Sequence, residues 1–417
     1  MSENQVITFG CRLNIFESEI IKNNLEASNK KNSLIFNSCA VTSEAERKLG
    51  QAIRKYHKKF PEKEIIVTGC AAQLHPEKYI NMPEVSKVIG NKEKIDIRSY
   101  QDNKNIIVSD IMQLEDAASH LAADFNNKAR AYLEIQNGCN HRCTFCIIPY
   151  ARGNNRSVPI KNIISSCQAI LAKNINEIVL TGVDITDYGA NLKEKINLGK
   201  LLKEIFKELP ELKRLRLSSL DVAEIDDDLK ELIVTEKRLM PHFHLSLQSG
   251  DNMILKRMKR RHQIEDIIKF CNFVRQYRQD AAIGADLITG FPTETEEMHQ
   301  NTKELIKQLE ISHLHVFPYS EREGTPAAKI PADKQIDKKI RKERAKELIA
   351  IGKDNLENYS KKFIGKKISA IAENPGVFKT DHYLNVKISG SNLPQGQIRK
   401  ILVTDYKNNQ LIGEIDA

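Results

Sequence analysis

Residues 137–153 read NGCNHRCTFCIIPYARG and hold three of the eight cysteines in this chain of 417 residues, Cys139, Cys143 and Cys146. A structural zinc site takes four protein ligands, commonly from two short pairs of cysteine or histidine. Iron–sulfur clusters are also held by cysteine thiolates at short spacings, and three thiolates on a four-iron cluster leave one iron open. His141 lies within the triplet, where ligation would strain so short a loop. The stretch therefore indicates a cluster with an open iron, with a zinc knuckle or chance clustering as the alternative.

The composition is that of a soluble globular protein of two or three domains. Hydrophobic residues make up 41% of the chain, charged residues 29%, and the mean hydropathy is −0.44. No apolar run approaches the ~18 residues of a membrane span, and the start MSENQVITFG lacks the pattern of a signal peptide. We therefore expect a cytoplasmic protein without membrane contact, whose cysteines bind metal or react. The net charge of +9 is compatible with a nucleic-acid partner without requiring one.

Three further cysteines, Cys11, Cys39 and Cys70, each end a strand-like run: QVITFGC, SLIFNSC and EIIVTGC. Helix-like segments separate these runs, and Ser43 with Glu46 predicts a capping box at the start of the second helix. Strand, helix, strand at this length is the βαβ unit, and parallel strands place their carboxyl ends at one edge of a sheet. We therefore expect the three thiols to gather at that edge. The alternative is that they are small buried core residues.

The middle of the chain alternates strand-like and amphipathic helical segments. The strand-like runs are YLEIQ, EIVLTG, RLRLSS, HFHLSLQS, AAIGADLITG and HLHVFPYS, from about Tyr132 onward. Six such units predict a parallel barrel short of the full eight, with its site at the carboxyl ends of the strands. The triplet at Cys139 follows the first strand, where that rule puts a site. Cys167 and Cys271 lie in amphipathic helical stretches and are interpreted as core residues.

The carboxyl-terminal part of the chain changes pattern twice. A helical stretch dense in lysine and arginine, residues 331–363, is typical of a solvated face. From about Ile364, four short strand-like runs separated by Pro, Gly and Asn predict a small β-barrel module. The position and layout of this module resemble the TRAM domain, an RNA-binding barrel. A packing module without RNA contact is the alternative.

The stretch GCNHRCTFCIIPYARG, with Phe145 before the last cysteine of a C-x3-C-x2-C triplet, resembles the radical S-adenosylmethionine (SAM) superfamily, in particular its methylthiotransferase branch. The segments FGCRLN, NSCAVTSEAERK, VTGCAAQ, GFPTET and HVFPYSEREGTPAA are similar to the same branch, so the resemblance covers essentially the whole chain. It implies that the open iron at Cys139, Cys143 and Cys146 binds SAM. It also implies that Cys11, Cys39 and Cys70 hold a second 4Fe–4S cluster, and all six cysteines are taken as catalytic and metal-binding.

The resemblance implies a SAM pocket along the barrel rim. The residues that it suggests for this pocket are Phe145, Thr181, Gly182, Ser218 and Gln248. An unactivated C–H bond resists acid–base chemistry, so attachment of a methylthio group needs a radical supplied by a cofactor. In the family account the triplet's cluster cleaves SAM to a 5′-deoxyadenosyl radical, and the second cluster carries the sulfur that another SAM methylates.

GCRLN, NSCAVT and GCAAQ look most like the branch that acts on C2 of N6-threonylcarbamoyladenosine at position 37 of tRNA. Methylthiolation of isopentenyladenosine in tRNA, or of an aspartate in a ribosomal protein, is the alternative. The expected partners are the tRNA anticodon loop and an electron donor such as flavodoxin or ferredoxin, and the chain is expected to be a monomer. The alternative from a different functional class is an iron–sulfur electron-transfer scaffold or a zinc-binding scaffold.

The predicted fold class is α/β, in three parts. We expect an N-terminal parallel-sheet α/β domain over residues 1–110, which the resemblance makes the methylthiotransferase domain. A partial (β/α)6 barrel, the radical SAM core, is expected over 125–358. A TRAM-like RNA-binding β-barrel is expected over 360–417.

Overall fold

The computed structural model describes residues 4–28, 31–115 and 128–416. Within them the chain forms a five-stranded sheet, a six-stranded partial barrel and a small closed barrel. The predicted domain limits at 110, 125, 358 and 360 stay predictions, and the segment 116–127 between the first two parts lies outside the described residues. No helix in the described ranges is long and apolar enough to cross a membrane.

The first part is a parallel sheet in the order β1-β2-β3-β4-β5. Its strands are β1 (Gln5–Thr8), β2 (Ser33–Ser38), β3 (Glu64–Gly69), β4 (Lys87–Ile89) and β5 (Ile106–Ile107), and its helices are α1 (Arg12–Ala27), α2 (Ser43–Lys59), α3 (Cys70–Leu74), α4 (Pro76–Ile80) and α5 (Arg98–Gln101). Every residue of β2 is buried, as expected for a strand covered by helices on both faces. The predicted βαβ units are confirmed.

The predicted capping box at Ser43 and Glu46 is wrong. Thr42 is the N-cap of α2, and its side chain accepts a hydrogen bond from the Ala45 amide at 3.1 Å. Glu46 instead forms ion pairs with Lys78, at 2.6 Å, and with Arg322. Glu46 is thus used in tertiary contacts, one of them with a distant loop, which local helix rules do not anticipate.

The second part is built on six parallel strands. In chain order its strands are β6 (Arg130–Glu134), β7 (Gln136–Asn137), β8 (Arg156–Ser157), β9 (Glu177–Thr181), β10 (Arg214–Leu217), β11 (His242–Gln248), β12 (Ala282–Thr289) and β13 (His313–Pro318), of which β7 and β8 form a separate antiparallel pair. Its helices are α6 (Ile148–Arg152), α7 (Ile160–Leu171), α8 (Leu198–Glu208), α9 (Asp227–Thr235), α10 (Asn252–Arg257), α11 (Ile264–Tyr277) and α12 (Glu296–Gln308).

Two three-stranded sheets, β6-β9-β10 and β11-β12-β13, join through bridges Leu215–Leu239 and Leu220–Leu245. The result is the predicted (β/α)6 partial barrel. Its core is one large apolar cluster that includes Cys167 and Cys271, both fully buried, so their interpretation as core residues is confirmed. Phe16 and Ile20 of α1 pack into the same cluster. The first sheet and the barrel therefore share a hydrophobic core through α1.

Helix α13 (Lys338–Lys361) leads into a closed barrel in the order β14-β15-β16-β18-β17. The strands are β14 (Lys367–Asn374), β15 (Val377–Thr380), β16 (Asn385–Lys387), β17 (Ile398–Lys407) and β18 (Gln410–Ile415). The barrel was predicted, but β15 was not among the four expected runs. A turn at Gly376, whose φ is +71°, separates this short strand from β14. The turn reverses the chain, so that β15 pairs with β14 as an antiparallel strand of the barrel.

Candidate active site

The structure places Cys11, Cys39 and Cys70 at the carboxyl ends of β1, β2 and β3. Cys11 is the N-cap of α1, Cys39 directly follows β2, and Cys70 is the first residue of α3. Gly10, with φ +104°, has no room for a side chain, because a Cβ there would lie 2.7 Å from Cys39 Cβ and 3.0 Å from Cys39 Sγ. Glycine thus allows the Cys11 loop to approach Cys39, and the predicted gathering at this edge is observed.

The three thiols of this edge affect one another electrostatically. Burial, with Cys70 and Cys11 nearby, raises the pKa of Cys39 to about 12. Burial also raises the pKa of Cys11, although Arg152 opposes the shift. A bound metal centre would supply the positive charge that turns such thiols into thiolates. The donor set, two buried sulfurs and the sulfur of the exposed residue Cys11 at one sheet edge, fits an iron–sulfur cluster.

The Cys139 triplet lies in the loop that follows β6 and β7, as predicted. Its backbone is fixed by hydrogen bonds from the Cys139 amide to Gly153 O and from the Cys146 amide to Cys143 O, both 3.0 Å. Two donors face sulfur atoms: the His141 amide lies 3.3 Å from Cys139 Sγ, and Arg260 Nη1 lies 3.5 Å from Cys143 Sγ. Donors aimed at sulfur stabilise thiolates, so the loop fits a bound cluster.

The zinc alternative has a concrete form in the structure, since Cys139, His141 and Asp184 have ligand atoms within 4.8 Å of one another. The Nε2 atom of His141, however, lies 2.9 Å from Asp184 and 3.4 Å from Glu224. Hydrogen bonds to these two carboxylates raise the pKa of His141 to about 10, against the effect of burial. The same nitrogen also lies 2.7 Å from Arg261 Nη2, so three side chains already surround the atom that would bind a metal. The triplet therefore fits a cluster better than a zinc ion.

One buried side-chain network connects the two cysteine sets, with Arg152 at its centre. Arg152 donates to Glu17 Oε1 at 2.9 Å, to Asn14 Oδ1 at 2.6 Å and to Asn137 Oδ1 at 3.2 Å. The thiol of Cys11 lies 3.9 Å from the same Asn14 oxygen. Arg152 thus links the first thiol set to the strand that leads into the triplet.

A second branch of this network reaches Cys70. Asn91 Nδ2 donates to the carbonyl of Ala151 at 2.7 Å and lies 3.7 Å from Cys70 Sγ. Lys94 donates to Asn91 Oδ1 at 2.7 Å and pairs with Glu17 at 2.6 Å. These side chains are buried, so removing one would leave charges or polar groups unsatisfied. The network holds the two cysteine sets in a fixed relation.

Four of the five residues suggested for the cofactor pocket lie at the carboxyl ends of barrel strands. Thr181 ends β9 and Gly182 follows it, while Ser218 follows β10. Gln248, whose φ is +68°, ends β11 after a β-bulge. The fifth, Phe145, packs against a satellite cluster that contains Met258 and Phe291. The structure brings the four strand-end residues to one rim, and their contact with a cofactor stays a prediction.

Sequence reasoning missed residues that shape this rim. The side-chain carbonyl of Gln136 accepts from the amides of Val183 and Asp184, at 3.0 and 2.8 Å, and so fixes the loop after β9. Arg260, which faces Cys143, is held by Asp221 at 2.8 Å. Asp221, in LSSLD, and Arg260, in KRRH, gave no signal in the sequence, because these two partners are 39 residues apart in the chain.

Comparison with known proteins agrees with this geometry. Residues 133–306 match the model of the radical SAM superfamily, and residues 3–90 match the uncharacterized protein family UPF0004. The threonylcarbamoyladenosine tRNA methylthiotransferase MtaB of Rickettsia prowazekii is 52% identical, over 95% of this chain and 93% of that protein. The protein of the same name from Aquifex aeolicus is 33% identical, over 95% and 98%.

Among solved structures, the radical SAM methyltransferase TsrM of Kitasatospora setae is similar in fold, with a TM-score of 0.56 and 13% identity over 79% of this chain and 77% of that one. The superfamily match over residues 133–306 and the relatives at 52% and 33% identity define a radical SAM protein, with which the fold and the triplet agree. Within that superfamily, the chain belongs to the methylthiotransferase family, in the branch of the threonylcarbamoyladenosine tRNA methylthiotransferases.

Proposed function

We propose that this protein attaches a methylthio group to C2 of N6-threonylcarbamoyladenosine at position 37 of tRNA. Cys139, Cys143 and Cys146 would hold one 4Fe–4S cluster. Cys11, Cys39 and Cys70 would hold a second one. When bound, the clusters and SAM supply the electron, radical, sulfur and methyl group that an unactivated C–H bond requires. The observation that carries the proposal is the pair of three-thiol sites held together by one buried network.

The chain's own residues position these groups and tune their charge. Arg260 donates to the thiol of Cys143, and Asp221 keeps its guanidinium in place. Arg152 adds positive charge near Cys11 and Cys70 while its own charge is balanced by Glu17. Positive charge beside thiolates compensates the excess negative charge of a three-cysteine site. Arg260 would therefore provide positive charge for the cluster at Cys143, and Arg152 would do so for the cluster at Cys11 and Cys70.

The substrate would be the anticodon loop of tRNA, whose bases leave their stack more readily than those of a duplex. The carboxyl-terminal barrel would contact the RNA, and the net charge of +9 favours a polyanionic partner. The chain would act in the cytoplasm as a monomer. An electron donor such as flavodoxin or ferredoxin would supply it with electrons. Isopentenyladenosine and a ribosomal aspartate are the alternative substrates.

Nucleoside mass spectrometry of tRNA tests the proposal. Cells without the gene should lose the 2-methylthio form of N6-threonylcarbamoyladenosine and accumulate its precursor. The wild-type gene should restore the product. A Cys39→Ala gene should not, because the second cluster would lack one of its three ligands. The matched control is Cys271→Ala, which alters a buried core cysteine and should restore it.

Three outcomes would count against this proposal. An unchanged tRNA profile with loss of a ribosomal methylthio-aspartate would indicate the protein-modifying activity. Loss of the methylthio form of isopentenyladenosine alone would indicate the other tRNA branch. Full rescue by the Cys39→Ala gene would show that the second thiol set is dispensable.

A further inference from the structure

Tyr383 belongs to the small carboxyl-terminal barrel, but its side chain packs against the amino ends of strands of the partial barrel. This end of the partial barrel is called the barrel floor. Its ring stacks on His242, with centroids 4.8 Å apart, and lies 6.1 Å from the ring of His313. These two histidines are the first residues of β11 and β13. Tyr383 has φ +67°, an uncommon conformation for a tyrosine, which the surrounding contacts maintain. The small barrel therefore contributes to the floor of the catalytic barrel.

Four cationic side chains surround the ring of Tyr383. Measured to its centroid, Arg12 Cζ lies at 5.4 Å, Arg130 Cζ at 5.4 Å, Arg216 Cζ at 5.1 Å and Lys379 Nζ at 4.5 Å. Carboxylates balance some of this charge. The fully buried Glu177 lies 3.6 Å from Arg130 and 3.1 Å from Arg216, and Glu373 also pairs with Arg130.

The other two cations, Arg12 and Lys379, have no ion pair among the residues that the structure describes. Arg12 Nη2 donates to the hydroxyl of Tyr383 at 3.3 Å, and Lys379 donates to the side-chain oxygen of Asn385. Asn385 is neutral, and the cations Arg12, Arg130, Lys379 and Arg216 lower the pKa of the Tyr383 hydroxyl against the effect of burial. Burial, together with the nearby Arg130 and Arg216, lowers the pKa of Lys379 to about 8, which reflects the cost of holding a further positive charge at this place. A bound carboxylate would relieve that cost.

The position of Arg12 connects this floor to the thiol sites. Arg12 directly follows Cys11, so the two Cα atoms are roughly 3.8 Å apart. Three histidine rings form a column that begins at the floor. The ring centroids of His242 and His244 are 6.2 Å apart, and those of His244 and His315 are 4.8 Å apart. His315 is exposed and is held at 3.1 Å by Asp286. The floor is therefore continuous with an accessible face inside the barrel.

We propose that Arg12, Lys379 and the hydroxyl of Tyr383 form an anion subsite that binds the carboxylate of the threonylcarbamoyl side chain. This proposal rests on the proposed function, since it assigns part of the same substrate. Arg12 directly follows Cys11 in the chain, so an adenine brought to the thiol set at Cys11 could extend its N6 substituent towards Arg12. An isopentenyl group has no charge to place there, and two partly buried cations disfavour an apolar group. The subsite would therefore select threonylcarbamoyladenosine.

The test compares binding of two anticodon stem-loops to the reconstituted full-length protein. One RNA carries N6-threonylcarbamoyladenosine, and the other carries its threonyl methyl ester, which removes the negative charge and adds one methyl group. Wild-type protein should bind the acid about tenfold or more tightly than the ester, because charge-assisted hydrogen bonds are lost. Arg12→Gln and Lys379→Gln should each reduce this preference towards parity. Arg12→Lys and Lys379→Arg should keep most of it.

The matched control is Lys400→Gln, which removes a charge from an exposed position of the same small barrel. It should keep the preference for the acid. Iron content of each variant shows whether cluster loading survives. Equal binding of acid and ester by the wild type would overturn the subsite, and this comparison needs no substitution. Equal weakening of both RNAs by the two Gln variants would also overturn it, since that result indicates contact with an RNA phosphate.

The two proposals fail separately. If the wild type prefers the acid but forms no 2-methylthio product from it under reducing conditions with SAM, the subsite stands and the proposed reaction is wrong. If it forms the product from acid and ester with equal kcat/KM and equal affinity, the reaction stands and the subsite is wrong.

Discussion

At the scale of single residues, the six cysteines proposed as ligands were accessible from the sequence, while their supporting residues were not. Three cysteines within eight positions, or after three similar strands, form a pattern that can be read along the chain. Arg152 and Glu17, by contrast, are 135 residues apart. Nothing in IIPYARG or IFESEI indicates that these two charges are buried against each other. Such pairs depend on how domains dock, which no local rule specifies.

Glu17 gives a pH-dependent prediction at this scale. Burial opposes ionisation, but Arg152 and Lys94 lower the pKa of Glu17 from 4.5 to about 2. A depressed carboxyl pKa stabilises the fold above the unfolded value, and this contribution is lost as pH falls from about 4.5 to about 2. Glu17→Gln should therefore reduce the free energy of unfolding by about 3 kcal/mol at pH 7, and by progressively less below pH 4.5.

Urea unfolding of the reconstituted protein at pH 7, 5 and 3 measures this difference. Glu26→Gln is the control, since Glu26 is exposed on the same helix and should change stability little at any of these values. A loss from Glu17→Gln that stays the same at pH 7 and pH 3 would show that the carboxylate charge is not the source of its effect.

At the scale of elements, the sequence predicted the barrel strands well and the role of the last long helix poorly. Apolar runs bounded by turn residues identified all six strands of the barrel because burial on both faces imposes that pattern. The charged helix α13 was expected to be solvated. Two of its arginine side chains are instead buried: Arg344 pairs with Glu294 at 2.6 Å, and Arg341 donates to the carbonyl of Tyr319 at 3.0 Å. Charge density along a helix does not reveal distant partners.

The amino ends of the barrel strands provide a prediction at this scale. Glu177 of β9 is fully buried and pairs with Arg214 at 2.7 Å and Arg216 at 3.1 Å, on the adjacent β10. Arg214 also pairs with Asp381 of the small barrel. Glu177→Gln should destabilise the protein by about 3–5 kcal/mol, because it leaves buried guanidinium groups without a counter-charge.

Thermal unfolding and limited proteolysis check this result. The junction near α13 should become more sensitive to protease, because the two barrels lose a shared ion-pair network. Glu208→Gln is the control, since that residue is exposed at the end of α8. If Glu177→Gln lowers stability no more than the control does, the network does not hold the barrels together.

At the scale of the whole molecule, all three parts of the chain contribute side chains to the partial barrel or to its edge. The first sheet supplies one thiol set, the partial barrel supplies the other, and the small barrel supplies Tyr383 and Lys379 to the floor. The sequence indicated the three parts and their order. It did not indicate the third contribution, because a small β-barrel after an enzyme core is usually interpreted as a separate RNA-binding module. The left-handed turn at Tyr383 has no signature in the letters TDHYL.

Iron and sulfide analysis, with Mössbauer spectroscopy, tests the central claim most directly. Anaerobically reconstituted wild-type protein should hold about eight iron atoms as two 4Fe–4S clusters. Changing Cys11, Cys39 and Cys70 together to Ala should leave about four, and changing Cys139, Cys143 and Cys146 together should do the same. About four iron atoms in the wild type, or zinc in place of iron at either set, would contradict the account.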